Sequence, residues 1–473
     1  MSVSGRLPTI LMVIASWDQA RAWLRSGVLD YLLADGCRVV LLAPNWDEPY
    51  FQKEFSRENT ALRPLVVPNA RVDYYLQKLR RYLFETMLPV DTNAIRREVM
   101  RRRDPWRYWI TERLNGHLGK GILKVWHWLD RRLVDGRAGA TALAEFQPDL
   151  VVVGTLGRAP ADVVLLRQAR RHGIRTLAVL RGWDNLTAKE YVREPVDKLI
   201  VWNEANKREA ITLHGIPPGD IYVGGAPHFD VYHRAPYRSR EERFREHGLD
   251  LDRRLLVLSG QDGLVCPHLE DIVRTVAAAI EADRFFQPCQ LLVRPHPNVY
   301  AGLARQPGTE EDLLRYEAMS EHVHGDRPRF ASQRLKGDIS REEMEHLADT
   351  LRYADVLLDF FGTLTLEACT VDTPVVYIGF DGAEQRDYYE SVRRFGGYTH
   401  NRRVLESGGV RLALSIDQLI DHVNAYLRDP SLDAEPRREV VRQNCHCLDG
   451  QSALHVGRRI AAYARGEWPA ETE

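Results

Sequence analysis

The chain has 473 residues, of which 44% are apolar and 28% charged, and its formal net charge is −1 at pH 7. This length exceeds what one hydrophobic core supports and predicts two domains. The composition is that of a folded globular protein rather than a disordered, fibrous or membrane-spanning one. A charge near zero provides no global field that would attract nucleic acid, so we expect no nucleic-acid partner.

The N-terminal apolar run TILMVIA, residues 9–15, is followed at once by Asp18 and Arg21 without a small-residue cleavage site. This pattern predicts a first β-strand rather than a secretion signal. No apolar stretch of the chain approaches the ~20 residues that cross a bilayer. The six cysteines are as sparse as in proteins that keep their thiols reduced. We expect a cytoplasmic protein that would meet a membrane only from its inner face.

Short apolar runs that lack polar alternation recur between helix-compatible segments, which is typical of parallel strands buried on both faces. In the first half these runs lie at residues 9–15, 37–44, 149–154, 175–185, 197–203 and 220–225. In the second half they lie at residues 254–260, 290–297, 355–360 and 372–379. Between the halves, the charged segment 232–255 has no apolar run and predicts a linker that enters a helix.

These patterns predict the α/β class, with two doubly wound Rossmann-like domains that face one another across a cleft. The expected domains are residues 1–235 and 236–473, with the last helices returning to the first domain. Ligands of such sheets bind beyond the carboxyl ends of the strands, where loops meet the following helices. Candidate functional residues are therefore sought at the strand ends.

Residues 71–135 interrupt the strand pattern of the first half and contain 15 Lys and Arg against 8 Asp and Glu. Tryptophans recur among the basic residues, as in RRRDPWRYWI and KVWHWLDRRL. Basic helices that carry tryptophan on one side suit a membrane interface or an anionic acceptor. A helical insertion whose tryptophans pack in the core explains the same pattern. The two interpretations stay open.

The strongest constellation is ADVLLDFFGTLTLEACTVDTPVVYIGFD, residues 354–381. A buried strand is followed by Gly362, which lets the backbone approach a ligand, and by Thr363 and Thr365, which open a helix where N–H groups and hydroxyls attract phosphate. Glu367 lies four residues after Thr363, hence on the same helix face, where a carboxylate can bind both hydroxyls of a ribose. Considered one at a time, Thr363 is explained as an ordinary N-cap and Glu367 as an acidic residue in the first turn of a helix. Together they predict nucleotide binding.

The run LLVRPHPNVY, residues 291–300, places Arg294 and His296 on backbone that two prolines stiffen. A guanidinium offers paired donors to phosphate oxygens and keeps its charge, so Arg294 is a predicted phosphate ligand. His296 could protonate or hydrogen-bond a leaving phosphate, or it could be a local hydrogen-bonding prop. Gly260 and Gln261, at the end of the preceding predicted strand, are assigned to the same site.

In the first half, LRGWDNLTAKEY ends a buried strand with Trp183, Asp184 and Asn185. An aromatic face beside Asp and Asn side chains suits a sugar ring, and Asp184 is a candidate catalytic carboxylate. The alternative is a strand-end turn in which Asp184 caps the next helix. Asp18, after the first strand, is a candidate catalytic base that could instead be a helix cap.

Several of these segments resemble known families. LLDFFGTLTLEACTVDTPVV resembles the donor-site segment of GT-B glycosyltransferases. LLVRPHP resembles a strand-loop of the CDP-glycerol glycerophosphotransferase and Kdo-transferase branches and, more distantly, of UDP-GlcNAc 2-epimerases. VGGAPHFDVY, residues 223–232, is similar to the segment that closes the first domain in these families, and LDGQSALHVGRRI, residues 448–460, to their terminal helix. The resemblance covers most of residues 175–465 through short motifs, whereas residues 1–150 match only as a generic first domain.

The resemblance implies that residues 1–235 are the acceptor-side domain and that residues 236–473 bind a nucleotide-activated donor. Arg294 and His296 would face the donor phosphates, beside a cradle formed by the segment 362–367 in which the glutamate holds the ribose.

His228 departs from the glycerophosphotransferase pattern, which has Arg after the proline, so CDP-glycerol is in doubt as the donor. His228 is instead assigned to substrate binding, with Trp183, Asn185 and Arg158, the last of these in the glycine loop GTLGRAP.

The implied activity is metal-independent transfer of a sugar or sugar-like unit from a UDP-, CDP-, CMP- or GDP-linked donor to a surface-polysaccharide, capsule or glycolipid acceptor. Arg294 and the helix terminus at Thr363 would take the place of a divalent ion at the leaving diphosphate. A UDP-GlcNAc 2-epimerase-like isomerase would use the same nucleotide site but needs acid and base carboxylates over sugar carbons 2 and 3. The third alternative is a non-catalytic nucleotide-binding scaffold of polysaccharide synthesis.

Two short motifs are considered as metal sites and set aside. DLD at residues 250–252 precedes a strand rather than following one, and CHC at residues 445–447 is too closely spaced for a four-ligand zinc site. We expect neither a metal nor a cofactor.

Overall fold

The structure is a computed structural model, and it describes residues 6–65, 70–83, 88–134, 140–189, 191–263, 265–303, 308–332, 334–384, 386–446 and 449–469. The chain forms two compact units. Unit 1 comprises Met1–Asp230 together with Cys445–Glu473, and unit 2 comprises Val231–Asn444. The boundary between the units, at residues 230 and 231, lies close to the expected one after residue 235, and residues 445–473, with the last helix, belong to unit 1. The expected arrangement of two domains across a cleft stays a prediction.

Unit 1 contains a seven-stranded sheet in which every pair of neighbouring strands is parallel. Its strands are β1 (Thr9–Val13), β2 (Arg38–Ala43), β3 (Thr60–Pro64), β4 (Leu150–Val153), β5 (Arg175–Val179), β6 (Lys198–Val201) and β7 (Ile221–Val223). The spatial order is β3-β2-β1-β4-β5-β6-β7. The central strands are continuous apolar runs because helices cover both faces of the sheet.

Unit 2 repeats this plan with six parallel strands in the order β10-β9-β8-β11-β12-β13. The strands are β8 (Arg254–Ser259), β9 (Cys289–Arg294), β10 (Val323–Gly325), β11 (Val356–Asp359), β12 (Val375–Ile378) and β13 (Arg411–Ala413). In both sheets the strand order reverses direction once, between β1 and β4 and between β8 and β11. Ligands of doubly wound sheets bind beyond the carboxyl ends of the strands at such reversals.

Nineteen α-helices lie within the described residues, and we number them in chain order. They are α1 (Trp17–Gln19), α2 (Val28–Ala34), α3 (Pro49–Phe55), α4 (Ala70–Leu83), α5 (Asp91–Arg103), α6 (Pro105–Leu133), α7 (Ala140–Phe146), α8 (Pro160–Arg171), α9 (Glu204–His214), α10 (Arg240–His247), α11 (Leu269–Glu281), α12 (Pro297–Tyr300), α13 (Glu310–Glu317), α14 (Arg341–Tyr353), α15 (Leu364–Thr370), α16 (Thr399–Glu406), α17 (Ile416–Arg428), α18 (Ala434–Cys445) and α19 (Ser452–Ala464). Within the described part of the chain, no helix is long and apolar enough to cross a membrane.

The C-terminal helix α19 packs on unit 1. Asp230 accepts hydrogen bonds from the backbone N–H groups of Ser452 (3.0 Å) and Ala453 (2.8 Å), at the start of this helix. Gly457 lies against the ring of Tyr31 on α2, where an added Cβ would come within 2.8 Å of the ring. The close approach of α19 to α2 therefore requires a residue without a side chain.

The basic segment within 71–135 folds into α4, α5 and α6, and a buried network of ion pairs holds these helices to unit 1. The guanidinium of Arg193 donates to Asp73 on α4 (2.7 Å) and to Asp130 on α6 (2.8 Å), and all three side chains are almost fully buried. Arg167, on α8, donates to the same Asp130 (2.6 Å) and to Glu194 (2.7 Å). Because buried charges are stable only when paired, the network fixes where these helices lie.

Removing one member of this network should be severely destabilising, because its partner carboxylates would stay buried without a counter-charge. We expect Arg193→Ala to lower the free energy of unfolding by about 3–5 kcal/mol, measured as a shift in the urea midpoint. Arg131→Ala is the matched control: its side chain is 61% exposed and lies 3.7 Å from Glu194. The control should lose about 1 kcal/mol or less. Equal losses in the two variants would contradict this account.

Candidate functional site

At the carboxyl edge of the unit 2 sheet, a buried carboxylate organises the loop that follows β11. Asp359 is fully buried and accepts four hydrogen bonds. They come from the Ser259 hydroxyl, the Thr365 hydroxyl (2.6 Å) and the backbone N–H groups of Phe360 (2.8 Å) and Gly362 (2.9 Å). One side chain thereby joins the end of β8 to the loop after β11 and to α15. Each of these hydrogen bonds constrains the loop because the carboxylate itself cannot move to solvent.

The left-handed residue of this loop is Phe361, with φ of 64°. Gly362, the next residue, has no positive φ and instead lies in a closely packed position. A Cβ at Gly362 would lie 2.7 Å from the side-chain nitrogen of Gln261. The Phe361 ring packs on Tyr377, with centroids 4.5 Å apart, which helps to hold a backbone conformation that is unfavourable for a bulky residue.

The ends of β8 and β9 also meet at this edge. The N–H of Gly260 donates to the carbonyl of Arg294 (2.6 Å), and a Cβ at Gly260 would lie 3.0 Å from the Cα of Pro295. Gly260 therefore allows close contact with 294–296, while Gln261 approaches Gly362. The two segments that the sequence singled out, 294–296 and 362–367, thus lie at the same sheet edge with Gly260 and Gln261 between them.

Arg294 is not exposed at this edge. Its side chain is 4% exposed and donates to Asp326, at the end of β10, and to Glu343 on α14 (2.6 Å). Although burial opposes it, these two carboxylates raise the pKa of the guanidinium. Direct binding of a phosphate by the Arg294 guanidinium would compete with its ion pairs to Asp326 and Glu343. The predicted phosphate role of Arg294 stays a prediction, and the observed geometry is that of an internal ion pair.

His296 caps the short helix α12, because its Nδ1 accepts a hydrogen bond from the N–H of Asn298 (3.1 Å). Pro297 occupies the first helical position, where its missing N–H is not needed. The stiff sequence is thus explained locally by a helix start. Since Nδ1 is the acceptor, the proton of a neutral ring lies on Nε2, which could donate to a ligand oxygen. The catalytic role of His296 stays a prediction.

The three remaining residues of the predicted nucleotide segment differ in their surroundings. Thr363 is exposed and immediately precedes α15, with no side-chain hydrogen bond to the helix backbone. The Thr365 hydroxyl is committed to Asp359, and its residue is fully buried. Glu367 is 2% exposed. Of the predicted donors in this segment, the hydroxyl of Thr363 is therefore the one at the surface, since the Gly362 N–H donates to Asp359.

At the carboxyl edge of the unit 1 sheet, the loops after β1, β4 and β5 cross at a glycine. Gln19 Oε1 accepts from the N–H groups of Ala15 (2.7 Å) and Ser16 (3.0 Å), while the Arg181 guanidinium donates to the Ser16 hydroxyl (2.9 Å). A Cβ at Gly154 would lie 2.2 Å from Gln19 Nε2 and 3.0 Å from Arg181 Cδ. Only glycine allows the two side chains to pass over the end of β4.

Asp18, the predicted base, is ion-paired at this crossing. Both of its carboxylate oxygens accept from Arg181 Nη1, at 3.0 and 2.8 Å. Although burial opposes it, the charge of Arg181 and the hydroxyl of Ser16 hold the pKa of the Asp18 carboxyl below its usual range. A base that works at neutral pH needs the opposite shift. Its catalytic role stays a prediction that this environment does not favour.

The β5 loop places the three predicted sugar contacts differently from expectation. Trp183 is 2% exposed, so its ring offers no open face to a sugar. Asp184 is 9% exposed and pairs with Lys189 (2.7 Å). Asn185 is 3% exposed and begins a π-helical turn, Asn185–Lys189. A second π-helix, Ala20–Leu24, follows α1, and such turns are frequent at functional sites.

His228 and Arg158 complete the predicted set in unit 1. His228 is 5% exposed and lies against the ring of Trp202, with centroids 5.1 Å apart. Burial, and then the nearby charge of Arg21, hold the pKa of His228 well below its usual range, so the ring is neutral. Arg158 is exposed, and its carbonyl accepts from Gln77 (2.8 Å). Their substrate-binding roles stay predictions.

Several buried polar atoms at this edge have no hydrogen-bond partner among the described residues. They are Gln19 Nε2, Asn185 Nδ2, Thr187 Oγ1 and His228 Nδ1. All four residues follow the carboxyl ends of parallel strands. Because a buried polar atom without a partner costs about 1–3 kcal/mol, a polar ligand or water that reached these atoms would be stabilising. The amide and hydroxyl groups suit a ligand rich in hydroxyls.

One group of three potential metal ligands lies within the described part of the chain: His247, Asp326 and His346, with ligand atoms within 4.8 Å of one another. Asp326 is already bound to Arg294, and Arg243 donates to His346 Nδ1 (3.1 Å). His346 Nε2 then donates to Asp326 (3.0 Å). Two guanidinium groups in direct contact with two of the three residues oppose a cation, so we assign no metal to this group.

Sequence reasoning missed Asp359, Gln19, Arg181 and Gly154. Asp359 could have been found, since a carboxylate that ends a buried strand must be satisfied by its own loop. Gln19 could also have been found, because Ser16 and Gln19 form a capping box of the S-x-x-Q pattern. Arg181 and Gly154 depend on partners far away in the sequence, which no local pattern reveals.

The fold and the two strand edges define a GT-B-like α/β protein with two Rossmann-type sheets. No protein-family model and no curated protein sequence matches the chain. Solved structures do match. A Listeria monocytogenes protein classed as a UDP-N-acetylglucosamine 2-epimerase is similar with a TM-score of 0.57 at 14% identity, covering 99% of both chains. The UDP-GlcNAc 2-epimerase of Neisseria meningitidis, bound to UDP-GlcNAc, is similar with a TM-score of 0.56 at 12% identity, covering 95% of this chain and 98% of that one.

A glycosyltransferase of Rickettsia africae also matches, with a TM-score of 0.48 at 10% identity, covering 96% of this chain and 98% of that one. The similarity to the Listeria and Neisseria structures shows, at these identities, the fold alone. The expected GT-B-like α/β fold is confirmed.

The buried carboxylate after β11 provides a direct test of the unit 2 edge. Asp359→Asn replaces one acceptor oxygen with a donor that would face a backbone N–H, so we expect a loss of about 1–3 kcal/mol in the free energy of unfolding. Glu384→Gln is the control, since its side chain is 76% exposed and such changes stay within about 0.5 kcal/mol. Urea titration measures both. An Asp359→Asn protein as stable as the control would show that the carboxylate does not hold the loop.

Proposed function

We propose that this protein is an enzyme that acts on a nucleotide-activated sugar and that it inverts the sugar at carbon 2, as a UDP-GlcNAc 2-epimerase-like isomerase. The observation that carries the proposal is the loop after β11. There a buried carboxylate fixes the backbone while Gly362 and Thr363 remain accessible at the strand-order reversal of the second sheet. The matching structures support the proposal through their fold, and one of them is bound to UDP-GlcNAc.

In this proposal unit 2 binds the nucleotide. Gly362 lets the backbone approach a phosphate, Thr363 adds an accessible hydroxyl, and the Gln261 amide lies next to Gly362. His296, half-buried at the neighbouring strand end, would donate from Nε2 to a phosphate oxygen. Glu367 remains the proposed ribose ligand, and its burial means that the ribose would have to reach into the segment.

Unit 1 would provide the sugar chemistry. Inversion at carbon 2 needs a group that takes the proton from carbon 2 and a group that returns one to the other face. Because no carbonyl adjoins carbon 2, the electron pair of the broken C–H bond would expel the nucleotide diphosphate from carbon 1 and form a C1–C2 double bond. Return of the diphosphate to carbon 1 and of a proton to carbon 2 would then complete the epimer. Asp184 is the carboxylate at the unit 1 edge whose partner, Lys189, is a flexible and half-exposed side chain. We assign proton transfer to Asp184. The polar atoms of Asn185 and His228 that lack partners would bind sugar hydroxyls.

Glycosyl transfer is the second candidate, because the same nucleotide site would serve a donor and because basic helices in unit 1 suit an anionic acceptor. A capsule, polysaccharide or glycolipid acceptor and a CDP-glycerol or Kdo-transferase-like activity remain within this candidate. A non-catalytic scaffold would bind the nucleotide at this site and would carry out no reaction.

Incubation of the protein with UDP-GlcNAc in D2O, without an acceptor, separates the candidates. An epimerase forms the 2-epimer with the nucleotide still attached, and the product carries deuterium at carbon 2 because the C–H bond is remade from solvent. Asp184→Asn should lower this turnover by about 10²–10⁴-fold. Proton NMR identifies the sugar of the product, and mass spectrometry measures the deuterium it carries.

Glu384→Gln, at an exposed position of unit 2, is the control variant and should turn over like the wild type. A panel of CDP-, CMP- and GDP-sugars tests which nucleobase the protein accepts. Unchanged sugar with release of nucleotide only when an acceptor is added would favour the transferase. Nucleotide binding without turnover under any condition would favour the scaffold, and no thermal shift with any nucleotide would contradict the whole proposal.

A further inference from the structure

Helix α6 exposes large apolar side chains along one side, near both of its ends. Trp106 is 70% exposed, Trp109 48%, Ile110 38% and Trp128 54%. The first three lie at i, i+3 and i+4, and Trp128 lies 22 residues after Trp106, about six turns at 3.6 residues a turn. These side chains therefore share one side of the helix. The rings of Trp106 and Trp109 stack on each other, with centroids 5.3 Å apart, rather than on the protein.

The same side of α6 carries cations. Arg113, Lys124, Arg131 and Arg132 are exposed and continue the stripe at helical spacing. Arg113 lies over the ring of Trp109 (4.9 Å) and Arg132 over that of Trp128 (4.7 Å). Long basic side chains that lie along aromatic rings keep their charged ends outward while the rings stay available for burial.

No carboxylate belongs to this stripe. The sequence of α6 contains two acidic residues, Glu112 and Asp130. Glu112 lies 4.0 Å from Arg97 on α5, and Asp130 is fully buried in the ion-pair network on the opposite side of the helix. Trp126, also on the opposite side, is 2% exposed and donates to the carbonyl of Leu76 (3.2 Å). Among the side chains of α6 that the structure describes, one side is thus anchored to the protein and the other presents apolar side chains and cations, of which Arg131 lies 3.7 Å from Glu194.

We propose that the exposed side of α6 binds the surface of an anionic phospholipid bilayer, with the helix lying in the interface. Tryptophan prefers the boundary between headgroups and acyl chains, and anionic headgroups complement the four cations. A protein partner or a second copy of this chain would cover the apolar rings, but neither explains a stripe from which every carboxylate is excluded. The proposal is independent of the reaction that the protein catalyses.

Co-sedimentation of the full-length protein with vesicles tests this. Vesicles of phosphatidylcholine mixed with phosphatidylglycerol should carry the protein down, those of phosphatidylcholine alone should not, and added salt should weaken the binding. Arg113→Gln, Lys124→Gln and Arg132→Gln together should lower the partition coefficient about a hundredfold, since each cation near an anionic surface contributes about fivefold. Trp106→Ser with Trp109→Ser should lower it at least about tenfold.

The matched control lies in unit 2, where Phe286 is 51% exposed and Arg428 lies over its ring at 4.7 Å. Phe286→Ser with Arg428→Gln removes the same kinds of group and should leave vesicle binding unchanged. Thermal unfolding checks that the variants stay folded. If the tryptophan variant does not fold, the charge variant still tests the proposal.

Equal binding to neutral vesicles, or undiminished binding by both α6 variants, would overturn the proposal. So would a wild-type dimer in light scattering that the tryptophan variant converts to a monomer, with no vesicle binding by either.

Discussion

Every strand in both sheets runs parallel to its neighbours, and the candidate site depends on this constraint. Parallel strands all end at the same edge, so loops that are far apart in sequence must meet there. In unit 1 the constraint brings Gln19, Gly154 and Arg181 together, and in unit 2 it brings Ser259, Arg294 and Asp359 together. The glycines at these ends are then required by the close approach of the loops rather than by their own turns.

Buried charge fixes the positions of these loops and helices, and it also shows which charged groups remain available for function. Arg294, Asp359 and Arg193 are each satisfied inside the protein by partners on other elements. Such groups hold geometry, since removing one partner leaves another charge or donor buried. Exposed cations that could meet a partner lie on α6, where Arg113, Lys124 and Arg132 are exposed and the two acidic residues of the helix lie on its other side. Charge counts in the sequence cannot distinguish these two uses.

Much of the fold could be predicted from the sequence, because buried parallel strands are continuous apolar runs. The three strands that were missed, β3, β10 and β13, are all at sheet edges, where shorter and more polar segments suffice. The loops that carry the candidate site were also found, at 294–296 and 362–367. The burial and ion pairing of each side chain could not be predicted, because both depend on residues that are distant in the sequence. Arg294, for example, pairs with carboxylates 32 and 49 residues away. For the same reason the burial of Trp183, whose ring was predicted to contact a sugar, was not foreseen.

The central claim is that a nucleotide binds at the carboxyl edge of the unit 2 sheet. Hydrogen–deuterium exchange, measured by mass spectrometry with and without UDP, tests it directly. The account predicts slower exchange on addition of UDP in peptides that cover residues 259–263, 294–298 and 359–367, with little change at the other end of the same strands. Protection confined to unit 1, or absent from all three segments at a UDP concentration that stabilises the protein, would contradict it.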